Sequence, residues 1–207
     1  MLQPESSLGV SEIYGRSDYA IIGELVQPST RVLDLGCGEG LLLSWLKEHK
    51  QVQARGVELS SAQVQKAIAR GVSVYQGDLE TALEDYPDGA FDYVILSQTL
   101  QETRHPLQVL RSMLRIGRHA IVAFPNYAHW RMRANALFTG RAPKTPLFPH
   151  EWHDSPNIHF MTVLDFEDLA RQQDWKIQRS IFLAGGKQIK TLRNLLAEVA
   201  VFEIMAK

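Results

Sequence analysis

Residues 32–40 read VLDLGCGEG: an aliphatic run closes on Asp34, glycines follow at alternate positions 36, 38 and 40, and an apolar helical pattern opens at Leu41. Glycines so placed let the backbone turn tightly and let a ligand approach main-chain amides with no Cβ in the way. Where a strand of an open α/β sheet runs into such a turn and then a helix, the turn lies at the carboxyl ends of the strands, where ligands settle. The spacing narrows the ligand. A dinucleotide fingerprint, GxGxxG, would put its third glycine at position 41, which is leucine here. A phosphate loop would continue with Lys and then Ser or Thr, and neither follows. A dinucleotide-dependent oxidoreductase is disfavoured by the missing third glycine.

Outward from this stretch, short aliphatic or β-branched runs alternate with helical patterns: RVLDLG then LLLSWLKEH, ARGVEL then SAQVQKAIARG, VSVYQGD then a loop, FDYVILS then HPLQVLRSMLRIG, and HAIVAFP. Such short apolar runs, set between Gly, Pro or charged residues, predict strands buried on both faces. Their alternation with helices predicts a parallel sheet, because parallel neighbours need a crossover. Thr162, with Asp165 three residues on, predicts a helix opened by a near capping box. Two further strand-like runs, KIQRSIFL at 176–183 and EVAVFEIM at 198–205, are separated by Gly185, Gly186 and a short basic helix. They are expected to pair antiparallel at one sheet edge. Residues 1–16 mix Pro, Ser and Gly without a period and are expected to form a flexible arm, ahead of a single domain over 17–207.

The 207 residues are 45% hydrophobic and 22% charged, with net charge -1, which sets aside disordered, collagen-like and coiled-coil classes. Twenty-two basic against 23 acidic residues leave no basic excess of the kind that phosphate neutralisation requires, so a nucleic-acid partner is not expected. The lone Cys37 cannot make an internal disulfide, and no apolar run approaches a membrane span. The expectation is a cytoplasmic protein with no membrane partner.

Acidic residues close the next two strands as well. Glu58 ends ARGVEL, 22 residues after Gly36, and Asp78 follows YQG. A carboxylate at position 58 can accept both hydroxyls of a ribose at once. Cys37 has no assignable His partner and is read as a small packed residue rather than a nucleophile.

The string VLDLGCGEG resembles motif I of the class I S-adenosylmethionine-dependent methyltransferases, whose acidic residue, glycines and following helix cradle the methionine and ribose parts of the cofactor. The likeness implies S-adenosylmethionine or S-adenosylhomocysteine as cofactor. Its site would hold Asp34, Gly36, Cys37, Gly38, Gly40, Glu58 and Leu59, with Asp78 and Leu79 on the adenine side and Ser97 and Gln98 at the fourth strand end. Together with RGVSVYQGDLE, FDYVILSQTLQ, AIVAFPNYAHWR and EWHDSPNIHFMTVLDFEDL, the strings resemble the MetW family of methionine-biosynthesis proteins from about Arg31 to about Leu183. SQTLQ and FPNYAHWR are the most specific pieces. The resemblance implies a Rossmann-like class I methyltransferase fold: α/β, with helices on both faces of a seven-stranded, mostly parallel sheet whose last strand is antiparallel. It also implies association with a MetX-type homoserine O-acyltransferase, in support of the first committed step of methionine synthesis, and no established methyl acceptor.

The acceptor side is less legible. Enzymes that methylate nucleobase amines typically carry Asn or Asp, Pro-Pro and an aromatic at the fourth strand end, where this chain reads SQTLQ at 97–101. Gln98 and Gln101 are neutral and cannot act as general bases. His105, His129 and Glu102 are the candidates if a base exists, and the catalytic residues stay unassigned. Residues 126–160 hold six of the chain's 18 aromatics, with His129, His150, His153, His159, Arg131, Arg133, Arg141 and Lys144. Proline-stiffened and rich in Trp, His and Arg, this segment suits a lid or a contact surface for the acyltransferase; its aromatics could equally cap one end of the sheet. His150 and His153 sit three apart, yet no acidic or thiol partner has metal-ligand spacing, so no metal is expected.

Overall fold

Side chains alternate between two apolar layers along each central strand, and this period of two builds the molecule. In the computed structural model, which describes residues 16–146 and 148–207, Leu33 and Leu35 of β1 (Arg31–Leu35) enter one core while Val32 enters the other. Val94 and Leu96 of β4 (Phe91–Ser97) likewise oppose Tyr93 and Ile95, and Val122 and Phe124 of β5 (Gly117–Pro125) oppose Ile121 and Ala123. A strand that is apolar on both sides needs helices on both faces of its sheet. One face is covered by α1 (Ser17–Leu25) through Ile22 and Leu25, and by α2 (Leu41–Lys50) through Leu42, Leu43 and Leu46. The other is covered by α5 (Pro106–Ile116), through Leu110 and Met113, and by α7 (Val163–Gln172), through Val163 and Phe166.

The remaining elements are β2 (Gln53–Glu58), α3 (Ser61–Ala69), β3 (Ser73–Gln76), α4 (Leu79–Ala82), α6 (Trp130–Thr139), β6 (Lys176–Ala184), β7 (Lys187–Ile189), α8 (Arg193–Leu196) and β8 (Val199–Met205). Strand order is β3-β2-β1-β4-β5-β8-β6-β7, parallel from β3 through β5, with β8 antiparallel to both β5 and β6. The order reverses between β1 and β4, which opens a crevice at their carboxyl ends.

Two sequence expectations change. The sheet has eight strands rather than seven. Gly185 (φ +54) and Gly186 (φ +75) form a two-residue hairpin turn, which sends Lys187–Ile189 back along Phe182, Leu183 and Ala184. Three residues, two of them polar, are too few to show a strand period. The paired runs 176–183 and 198–205 do join antiparallel, but β8 lies between β5 and β6, leaving β7 at the sheet edge. The capping box at Thr162 is formed in both directions: Asp165 N–H donates to Thr162 Oγ1 (3.2 Å), and Thr162 N–H to Asp165 Oδ2 (3.0 Å). The expected arm falls, apart from Arg16, outside the described residues. Among the described residues no helix is long and apolar enough to cross a membrane.

Candidate ligand-binding cleft

A cleft of about 700 Å³ lies over the carboxyl ends of β1 to β4. It is built around the turn that leaves β1. Gly36 has φ +72, and a Cβ there would stand 2.8 Å from Thr99 Oγ1, so both the backbone angle and the neighbour require glycine. Four of the turn's amides are already engaged. Gly36 and Cys37 N–H donate to Val57 O (2.8 and 3.1 Å), Gly40 N–H to Cys37 O (3.0 Å), and Gly38 N–H to Glu58 Oε2 (2.9 Å). A pyrophosphate needs such amides free, so this turn suits a ligand gripped by side chains instead.

Glu58, at the tip of β2, is held by both oxygens: Ser60 N–H donates to Oε1 (2.8 Å) while Gly38 N–H holds Oε2. Each oxygen keeps a further lone pair, and the residue lines the cleft. Asp78 caps α4, its Oδ1 accepting from Glu80 N–H (2.8 Å). Leu59, Leu79, Ser97 and Gln98 also line the cleft, with Leu59 exposing its side chain. Gln98 sits at φ +54, a strained angle for a residue with a side chain, held by Gln98 N–H on Ala123 O (2.7 Å) and by Gln101 Nε2 on Gln98 O (2.8 Å).

Of the other expected site residues, Gly38 and Gly40 shape the turn, while Asp34 and Cys37 lie beneath it. Cys37 packs its Sγ against Gly56, and burial, with Asp34 and Glu58 nearby, pushes its thiol well above the usual range, as suits a packed residue. Asp34 is 4% exposed. Burial pushes its carboxyl up to about 7, while Arg16 pulls the other way.

In the unfolded chain that group ionises near ~3.9, so the folded state keeps a proton which the unfolded state gives up. The stability it contributes is present below about pH 4 and lost as pH rises toward 7. The expected result of denaturant unfolding is that Asp34→Asn matches the parent near pH ~4, then gains on it until a plateau above about pH 7. A pH-independent difference would contradict this.

Among the three candidate bases the geometry separates roles. His105 Nδ1 lies 2.8 Å from Glu80 Oε2, on an exposed side chain. His129 is buried and caps α6, its Nδ1 accepting from Arg131 N–H, and burial lowers its pKa. Glu102 lines the cleft, its carboxyl raised by partial burial against the pull of His150.

The cleft also collects residues that sequence reasoning missed: Arg16, Ser60, Glu80, Thr99, Thr103 and Arg104. Thr99 stands in SQTLQ and Glu80 in RGVSVYQGDLE without anything there marking them as lining, the other four carry no motif, and only the topology brings the six together.

The segment 126–160 is fastened to this cleft. Ile158 and His159 N–H donate to Gln101 O (2.9 and 3.0 Å), the residue whose side chain holds Gln98. Within the segment, Tyr127 packs on Phe148 (5.4 Å) and Phe160 (4.6 Å) beside a second cavity of about 630 Å³. Trp130, Leu137, Phe138 and Trp152 turn outward, the last two 83% and 79% exposed.

The parallel sheet with its order reversal, the antiparallel β8 and the glycine turn after β1 define the Rossmann-like class I methyltransferase fold. A possible histamine N-methyltransferase of Thermotoga maritima, described as S-adenosylmethionine-dependent, superposes with a TM-score of 0.66 at 19% identity, over 96% of this chain and 92% of its own. Magnesium protoporphyrin IX methyltransferase of Synechocystis, solved with bound S-adenosylhomocysteine, gives 0.64 at 15% identity, over 97% and 83%. The chain belongs to the MetW family: the model described as "Methionine biosynthesis protein MetW" matches residues 16–204. The bifunctional methionine biosynthesis protein MetXA/MetW of Rhodopirellula baltica is 36% identical over 204 residues, 92% of this chain. This chain spans about a third of that relative's length.

Proposed function

We propose that this MetW-family protein binds S-adenosylmethionine or S-adenosylhomocysteine in the cleft and acts in the cytoplasm as partner or activator of a MetX-type homoserine O-acyltransferase, docking through residues 126–160. The observation that carries the ligand half is Glu58, a carboxylate aimed by two backbone amides at the edge of the cleft. The residues fit the cofactor. About 700 Å³ lies within the ~300–1,000 Å³ of ligand pockets. Four carboxylates (Glu58, Asp78, Glu80, Glu102) against two guanidinium groups (Arg16, Arg104) suit a ligand of net positive charge. Glu58 would hold the ribose and Asp78 with Leu79 would flank the adenine, while Ser97 and Gln98 border the end where the sulfur would lie. When bound, S-adenosylmethionine supplies an electrophilic methyl group.

The partner half is supported by the Rhodopirellula protein, whose single chain is named for both MetXA and MetW. The outward Trp130, Leu137, Phe138 and Trp152 are large apolar side chains that a partner would bury. The bonds from Gln98 through Gln101 to Ile158 and His159 connect cleft and surface. Through them ligand binding can bias docking, provided the ligand prefers one of the two states.

Gel filtration of the two purified proteins, with and without S-adenosylmethionine, tests the pairing. A complex that weakens on Trp152→Ala or Phe138→Asp is expected; absence of any complex in either condition would remove the partner reading.

Glu102 favours a second reading, methyl transfer to a small molecule or protein. It lines the cleft, and a carboxyl raised in pKa by partial burial is a stronger base than an ordinary glutamate. Labelled cofactor incubated with cell extract would then give a labelled product that Glu102→Gln loses.

A further inference from the structure

The second cavity, about 630 Å³, is close in size to the cleft, yet its lining has the opposite sign. Arg141 and Lys144 are its full cations and Glu151 its one carboxylate. Lys144 Nζ lies 2.5 Å from Glu151 Oε1, an ion pair that holds the carboxyl below its usual range and cancels one charge against the other. Arg141 is exposed; its backbone N–H donates to Thr139 Oγ1 (3.2 Å), and its guanidinium has no carboxylate partner among the described residues. One positive charge is therefore left unbalanced in this wall, where the cleft holds an excess of carboxylates.

The walls are aromatic and fixed in advance. Tyr127 stands edge-on to Phe148 (5.4 Å between ring centres) and tilted against Phe160 (4.6 Å), separations at which rings attract one another. Phe148 is packed away, whereas Phe160 and Trp152 are 56% and 79% exposed. Aromatics that served only to cap the sheet would be spent on packing, and these two are not. Thr145 and Phe148 exchange both main-chain hydrogen bonds (3.1 and 3.0 Å), and Thr145 Oγ1 donates to Met132 Sδ of α6 (3.3 Å). Pro143, Pro146 and Pro149 fix φ along the same stretch. A ligand would find the site already shaped and would lose little to ordering it.

We infer that this cavity is a second ligand site, for a small aromatic monoanion: a flat ring system among Tyr127, Phe160 and Trp152, with its carboxylate or sulfonate on Arg141. The volume lies within the ~300–1,000 Å³ of small-molecule sites, and the His150 ring and Asn157 amide in the lining add hydrogen-bonding groups. The site depends neither on what the cleft binds nor on an acyltransferase. A positively charged nucleoside suits the acidic cleft and is repelled by Arg141, while an anion is repelled by the cleft, so charge sorts two ligands between two cavities.

Fluorescence titration of the full chain with 8-anilinonaphthalene-1-sulfonate and with N-phenyl-1-naphthylamine, the same ring system without the sulfonate, tests this. The parent is expected to bind the sulfonate roughly 5- to 20-fold more tightly than the uncharged compound. Arg141→Gln should bring the two within about threefold, chiefly by weakening the sulfonate. Arg118→Gln, at an exposed arginine near the amino end of β5, should change neither. Both arginines are exposed, so neither variant threatens the fold. Trp152→Phe should lower the sulfonate emission that is excited through tryptophan. Equal affinity of the parent for the two compounds, or binding of neither, overturns the inference. So does an Arg141→Gln protein that still discriminates, an equal loss in Arg118→Gln, which would mark diffuse charge rather than a site, or unchanged emission in Trp152→Phe.

Discussion

Asn126→Ala is expected to lower the unfolding free energy by about 3 to 5 kcal/mol, among the largest effects of any single polar substitution in the chain. The side chain is fully buried and satisfied on both ends. Nδ2 donates to Asn194 O (3.2 Å) and Ala197 O (2.9 Å), and Oδ1 accepts from Ala128 N–H (3.2 Å) and Val163 N–H (3.3 Å). Alanine would leave two carbonyls and two amides without these partners, and a buried group left unpaired costs about 1 to 3 kcal/mol. One amide thereby clamps three pieces: the chain leaving β5, the approach to β8 and the first turn of α7. Urea unfolding followed by circular dichroism reads the loss. A change below about 1 kcal/mol would mean that water replaces the lost bonds.

Glu58→Ala is expected to weaken S-adenosylmethionine binding by about 1.5 to 3 kcal/mol, or roughly 10- to 150-fold, through loss of two charge-assisted hydrogen bonds in a partly enclosed site. Glu58→Gln keeps the shape and one acceptor but no charge, and should fall between parent and alanine. Because Gly38 and Ser60 amides also lose their acceptor, the same proteins are compared by thermal unfolding. A fall in affinity with little change in midpoint assigns the loss to the ligand. Unchanged affinity in both variants would leave Glu58 a brace of the turn and nothing more.

Much of this was readable before the structure. Alternating apolar runs located β1 to β5 because strands buried on both faces have nowhere to place polar residues. The glycine turn and Glu58 were readable for a similar reason, since a tight strand-to-helix turn and an acidic strand tip are local demands on residue type. What escaped reading depends on partners distant in the chain. Arg16 sits in a stretch with no period, and its place is set by Asp18 and by Ser97, 81 residues away. Glu80 closes the string RGVSVYQGDLE while Thr103 and Arg104 carry no motif, and the three meet at the cleft only through the crossover from β3 to β4. His129 was weighed as a base, whereas its buried ring caps a helix, a distinction that only the direction of the following backbone reveals. In FPNYAHWR the telling residue is Asn126, whose demand for four partners fixes the string physically.

The turn after β1 carries a last implication. Its Gly36, Cys37, Gly38 and Gly40 amides are satisfied by Val57, Cys37 and Glu58. A ligand seated there would find these amides already bonded, so little association energy would be lost to freezing the turn. Any signal of a guest would then leave through side chains such as Gln98 and Gln101 rather than through the turn itself.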